Sequence, residues 1–145
     1  MIQANVCRSS SLVKWFFVIA VSLPHLLSGI TVAAEDDRPL AVIVVGTLHY
    51  SPELTMPVLA NELERFGFRT TVVMGEGDPE KKTDNVLPGI EALADADLAV
   101  FFCRFLKLPD DEWQPIEDYL QSGKPVIGLR TANHSFKYPS GHPRF

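Results

Sequence analysis

The chain has 145 residues, 13 of them basic and 18 acidic, for a formal charge of −5. That balance argues against nucleic acid or anionic lipid as a partner, since both are held through clustered Lys and Arg. The length allows one small domain at most once a leader is set aside.

The first segment is read from its order of charge. Met1 to Lys14 holds Arg8 and Lys14 and no acid, and an apolar run starts at Trp15. Pro24, Ser28 and Gly29 follow, then Val32-Ala33-Ala34 just before Glu35-Asp36-Asp37. Small residues three and one before a cut suit signal peptidase, and the apolar core is short for a membrane span. Residues 1–34 are therefore expected to be a secretory signal peptide, with an uncleaved anchor as the alternative. No Cys stands at a lipobox position after the run, which argues against a lipoprotein. The expected destination is outside the cytoplasm, periplasmic or secreted, with no membrane attachment after cleavage. The remaining segment of about 110 residues carries 11 basic and 18 acidic side chains, a formal −7. Cys7 leaves with the leader, so Cys103 is alone and an internal disulfide is impossible.

Short apolar runs then alternate with helical patterns. Leu40 to Gly46 is a continuous β-branched run, as a strand buried on both faces requires. Ser51-Pro52-Glu53 opens a helix whose apolar face is Met56, Leu59, Ala60, Leu63 and Phe66. Pro57 is tolerable only in a first turn, so regular helix is expected near Thr55, with Gly67 as its stop. Arg69 to Met74 reads as a second strand, Gly75 to Asn85 as a polar loop, and Leu87 to Ala94 as a short helix. A third strand spans Leu98 to Cys103. Asp110 is placed to cap a helix with Trp113, Ile116, Tyr119 and Leu120 on one side, ending at Gly123. Pro125 to Leu129 is the fourth strand, and Thr131 to Phe145 is polar with no further strand.

This order predicts an α/β fold, a parallel sheet with right-handed crossovers and helices on both faces. Such sheets bind ligands beyond the carboxyl ends of their strands, near the point where strand order reverses. Here those ends carry His49 and Tyr50, Arg104, and the stretch Arg130 to His134.

Each of these residues has a functional and a structural reading. His49 and Tyr50 either hydrogen-bond a ligand beside a helix N-terminus or anchor the loop. Arg104 and Arg130 either clamp a carboxylate or phosphate or pair with surplus acids. Thr131 and His134 share a polar loop with Asn133 and Ser135. His134 reads more readily as a hydrogen-bonded loop residue than as a catalyst. His49, His134 and His142 lack metal-ligand spacing, so neither a metal nor a cofactor is expected. Cys103 reads as core, since no Gly-flanked turn or imidazole marks it as reactive.

At Gly46-Thr-Leu-His49-Tyr-Ser-Pro-Glu53, Phe101-Phe-Cys-Arg104-Phe-Leu and Gly123-Lys-Pro-Val-Ile-Gly-Leu-Arg130-Thr-Ala-Asn-His134-Ser-Phe136, the chain resembles the trehalose-utilisation (ThuA-like) family, its secreted branch above all. The likeness runs from about Arg38 to the last residue. It implies a flavodoxin-like, class I glutamine-amidotransferase-like fold and a loose link to sugar metabolism. True amidotransferases of this fold carry Gly-x-Cys-x-Gly where this chain reads Gly128-Leu129-Arg130-Thr131-Ala132. Arg130 thus holds the nucleophile position, and a guanidinium cannot form a thioester. Domains of this family also continue past the equivalent of His142-Pro143-Arg144-Phe145, which implies a fragment or a truncated reading frame.

Two functional expectations follow. One is an exported ThuA-like domain handling a small polar or carbohydrate-derived ligand at His49, Tyr50, Arg104, Arg130, Thr131 and His134. The other is a non-catalytic binding module, or a non-functional product of a truncated gene.

Overall fold

The computed structural model describes residues 36–77 and 85–144; the leader expected at 1–34 and part of the polar loop expected from Gly75 lie outside them. Strands β1 (Leu40–Gly46), β2 (Arg69–Met74), β3 (Leu98–Cys103) and β4 (Val126–Gly128) form one parallel sheet in the order β2-β1-β3-β4. Helix α1 (Pro52–Arg65) joins β1 to β2, and helix α2 (Asp110–Gln121) joins β3 to β4. The α/β class is as the alternation of runs requires, and the strand order is the flavodoxin-like one. Its reversal falls between β1 and β3, because the chain leaves β1 toward one edge and later returns to the other side.

All seven residues of β1 are buried, which its unbroken apolar composition permits. The pleat sends them alternately to two cores. Leu40, Val42 and Val44 meet Phe101, Leu93, Ile116 and Tyr119 on one face. Ala41, Ile43 and Val45 meet Met56, Ala60, Val100 and Phe102 on the other. The first face is covered by α2 and a 3-10 turn at Ile90–Ala94, the second by α1. Right-handed crossovers demand this division, since the chain moves across the sheet in opposite directions from β1 and from β2.

Local details depart from expectation in five places. Helix α1 begins at Pro52, because Ser51 adopts a left-handed φ of 49° and its carbonyl accepts from the Leu54 and Thr55 amides. Pro57 therefore lies inside the helix, where it cannot donate a backbone bond. Phe66 is the C-cap and is 80% exposed rather than part of the apolar face. The expected helix Leu87–Ala94 is only a 3-10 turn at Ile90–Ala94, entered through Gly89 at φ 89°. Asp110 does not cap α2; Pro109 holds that position without a side-chain bond, and Asp110 pairs instead with Arg144 at 2.7 Å. Leu120, expected on the packed side, is 46% exposed.

After β4 the chain makes a 3-10 turn at Arg130–His134 and a lone parallel bridge between Leu106 and Phe136. The following residues fold back onto the start of α2. The Trp113 and Phe136 rings meet edge to face at 4.7 Å, and Tyr138 stacks on His142 at 4.4 Å. Among the described residues no helix is long and apolar enough to cross a membrane.

Candidate functional site

At the carboxyl end of β1 a small residue is required. A Cβ on Gly46 would lie 2.4 Å from a Leu106 methyl carbon and 3.1 Å from the Cys103 sulfur. The Gly46 carbonyl accepts from the Arg104 amide at 3.1 Å, so the exits of β1 and β3 are bound side by side at the switch point. Thr47 is buried, and its hydroxyl oxygen accepts the His49 amide at 3.2 Å, which begins the turn toward α1.

From there the side chains form a connected series. His49 Nε2 lies 2.6 Å from Arg104 Nη1. The His49 and Tyr50 rings are 5.9 Å apart, and Tyr50 is 6.4 Å from Phe102 of β3. The Arg130 guanidinium lies 4.0 Å from the centre of the Tyr50 ring, tying the exit of β4 to the exit of β1. The Arg104 guanidinium covers the Phe105 ring at 4.5 Å, and that ring meets His134 at 5.1 Å. Thr131 Oγ1 donates to the Cys103 carbonyl at 2.9 Å, holding the β4 exit to the end of β3. Residues His49, Tyr50, Arg104, Arg130, Thr131 and His134, far apart in the chain, thus share one end of the sheet.

The backbone here is strained. Tyr50, Ser51, Phe105 and Arg130 have φ of 69°, 49°, 56° and 48°, and they are the non-glycine residues with positive φ among those described. Each such residue costs on the order of 1–3 kcal/mol and persists only where its surroundings over-determine it. All four stand at strand exits around one cluster. Arg130 is the clearest case, on the sharp turn from β4 into the 3-10 turn.

Two members were not singled out from the sequence. Phe105 follows Arg104 and supplies the ring on which the arginine rests, and Lys137 places its ammonium 4.8 Å from the same ring. The signal for Phe105 was an aromatic residue directly after a strand-ending cation. Lys137 lay in a polar tail and became a neighbour only through the Leu106–Phe136 bridge.

Cys103 does not face this cluster. Its side chain is fully buried, and the sulfur is 3.5 Å from the Val44 carbonyl. Burial pushes the thiol up to about 12, against backbone hydrogen bonds at Gly46 and Phe102 that pull it down. It stays a neutral thiol near pH 7 and cannot act as a nucleophile. Among the described residues no three His, Cys, Asp or Glu side chains are arranged to hold a metal ion. On the other side of Arg130 a groove of about 440 Å³ runs between α2 and β4, with Ile116, Leu120 and Val126 in its apolar lining.

No family model matches this chain, and neither does any curated protein or solved structure.

Proposed function

We propose that this chain is an exported ThuA-like domain that holds a small polar or carbohydrate-derived ligand at the carboxyl ends of β1, β3 and β4. The observation that carries this reading is the convergence of His49, Tyr50, Arg104 and Arg130 on one another at the switch point. The strained backbone of Tyr50 and Arg130 supports it, since strain is retained where geometry serves a ligand. The site is built from hydrogen-bonding and cationic groups resting on aromatic rings, a composition suited to orienting a polar molecule. Nucleic acid is disfavoured by the acidic charge, and no nucleophile for glutaminase chemistry stands at the β4 turn.

The test is a thermal-shift screen of the purified protein with neutral sugars and sugar acids, followed by titration calorimetry on any hit. Arg104→Ala and Arg130→Ala should each weaken that hit at least tenfold. Unchanged affinity in both variants would remove the site assignment. Arg130 at the nucleophile position favours a second reading, a module that binds its ligand without converting it. Retention of the ligand with no product over many hours would favour that module; a product would favour an enzyme.

A further inference from the structure

We infer that residues 138–144 form a pH-sensitive latch on the start of α2, closed while the His142 ring is neutral and released when that ring takes a proton.

The latch rests on a fixed platform. The Tyr138 ring is buried, and its hydroxyl accepts from the Leu108 amide at 3.3 Å and donates to the Leu108 carbonyl at 3.4 Å. The chain then reverses in a tight turn, with Gly141 at φ 86° and the His142 amide donating to the Pro139 carbonyl at 3.0 Å. A glycine takes that left-handed position without strain. The turn lays the His142 ring on Tyr138, with 4.4 Å between centres and the planes within 10° of parallel.

The closing contact follows at once. The Arg144 amide donates to His142 Nδ1 at 3.1 Å. Pro143 stands between them with a fixed φ, so a displacement of that amide is passed on to the whole of Arg144. The Arg144 side chain is what clasps α2. Its Nη2 pairs with Asp110 Oδ1 at 2.7 Å, and its guanidinium lies 5.2 Å from the centre of the Trp113 ring and 5.9 Å from that of Tyr138. The Asp110 carboxylate is 92% exposed, so the ion pair alone holds Arg144 weakly.

The contact at Nδ1 needs a bare nitrogen, whereas a histidinium carries N–H on both ring positions. Histidine is the side chain whose ordinary change of charge falls between pH 5 and 8. Protonation therefore sets a second donor against the Arg144 amide. The charges in this corner divide in sign: Arg144 disfavours a histidinium and Asp110 favours one. Asp111 and Glu112 follow in the same turn of α2, Glu112 engaged by the Leu87 amide at 2.7 Å, and Lys137 is turned to the Phe105 ring. The stack on Tyr138 accommodates either form, since an aromatic face attracts a cation. These effects offset one another in part, but the lone pair at Nδ1 is lost outright. The latch is thus held above the titration of the ring and opens as pH falls through it, withdrawing Arg144 from Trp113.

The experiment is nuclear magnetic resonance of the nitrogen-15-labelled full chain between pH 8 and 5.5, on wild type, His142→Asn and His142→Phe. In wild type the Arg144 amide and the Trp113 ring signals should shift with the His142 ring at one midpoint. Protection of the Arg144 amide from exchange should fall about fivefold, the worth of one net hydrogen bond. Asn can accept an amide two residues on through Oδ1 and does not titrate, so His142→Asn should keep Arg144 in place across the range. Phe keeps the stack but has no acceptor, so His142→Phe should show the acid-form Arg144 signals already at pH 8. Near-ultraviolet circular dichroism of Trp113 verifies folding in each variant. An Arg144 amide that stays put while the His142 ring titrates overturns the latch. So does a pH response in His142→Asn equal to that of wild type, or a wild-type Arg144 signal in His142→Phe at pH 8.

Discussion

Arg104 Nη1 and His49 Nε2 stand 2.6 Å apart, the exit of β3 against the exit of β1. An arginine can only donate, so this contact requires Nε2 to accept and the neutral ring to carry its proton on Nδ1. The tautomer is thereby set by a residue 55 positions away in the chain.

Nitrogen-15 NMR of the histidine rings tests this directly. In its neutral form His49 should show an unprotonated Nε2, and Arg104→Ala should release the preference. Replacing His49 with Phe keeps a ring but removes the acceptor. At this exposed position the cost should be no more than about 1 kcal/mol in denaturant unfolding. A proton found on Nε2 in the neutral ring would rule out the hydrogen bond.

The turn out of β4 offers a test of stored strain. Arg130 at φ 48° occupies a region that costs a side chain on the order of 1–2 kcal/mol. Arg130→Ala and Arg130→Gly both lose the contact with Tyr50, but only Gly relieves the backbone. Arg130→Gly should therefore be more stable than Arg130→Ala by about 1 kcal/mol in denaturant unfolding. Equal stabilities would mean that the turn is not held in the left-handed region in solution.

Cys103 should be silent to thiol reagents. In native protein near neutral pH, labelling by a charged alkylating reagent should be slower than in unfolded protein by at least 100-fold. The pH dependence follows from the sign of the shift. The folded thiol is raised from 9.0 to about 12, so the unfolded state loses its proton first. This contribution to stability is intact below about pH 9 and is lost as pH rises toward 12. Cys103→Ser should abolish that alkaline slope, which denaturant titrations between pH 8 and 11 would reveal; an unchanged slope would assign it to other groups.

Ile116 of α2 is completely buried against the face of the sheet that holds Val42 and Val44. Ile116→Ala should cost about 2–5 kcal/mol, the usual range for emptying a packed aliphatic position. Leu120, one turn further and half exposed, should cost markedly less on truncation. Similar losses at both positions would show that the groove beside β4 is closed in solution.

The sheet itself was legible because unbroken β-branched runs such as Leu40 to Gly46 have few alternatives to a strand covered on both faces. The helix limits were less legible. Ser51 takes a left-handed conformation that no propensity signals, and it moved the start of α1 forward to Pro52. Asp110 had the composition of a cap, but Arg144, more than 30 residues on, offered its carboxylate a charged partner instead. Phe66 fitted the helical period, yet the helix stops one residue before it and leaves the ring in water.

The same division holds at the site. Polar and cationic residues interrupting apolar runs marked His49, Tyr50, Arg104, Arg130, Thr131 and His134 as strand-exit residues, because exits must leave the buried sheet for solvent. What residue order alone determined was the alternation of strand and helix, and with it the end of the sheet on which those residues lie. Only the tertiary structure decided which of them touch. Contacts such as Arg130 on Tyr50 and Arg104 on His49 depend on β1 lying beside β3, with β4 beyond, and on backbone angles at the turns. Strand order is a property of how crossovers pack across the sheet, and no local pattern in the chain encodes it.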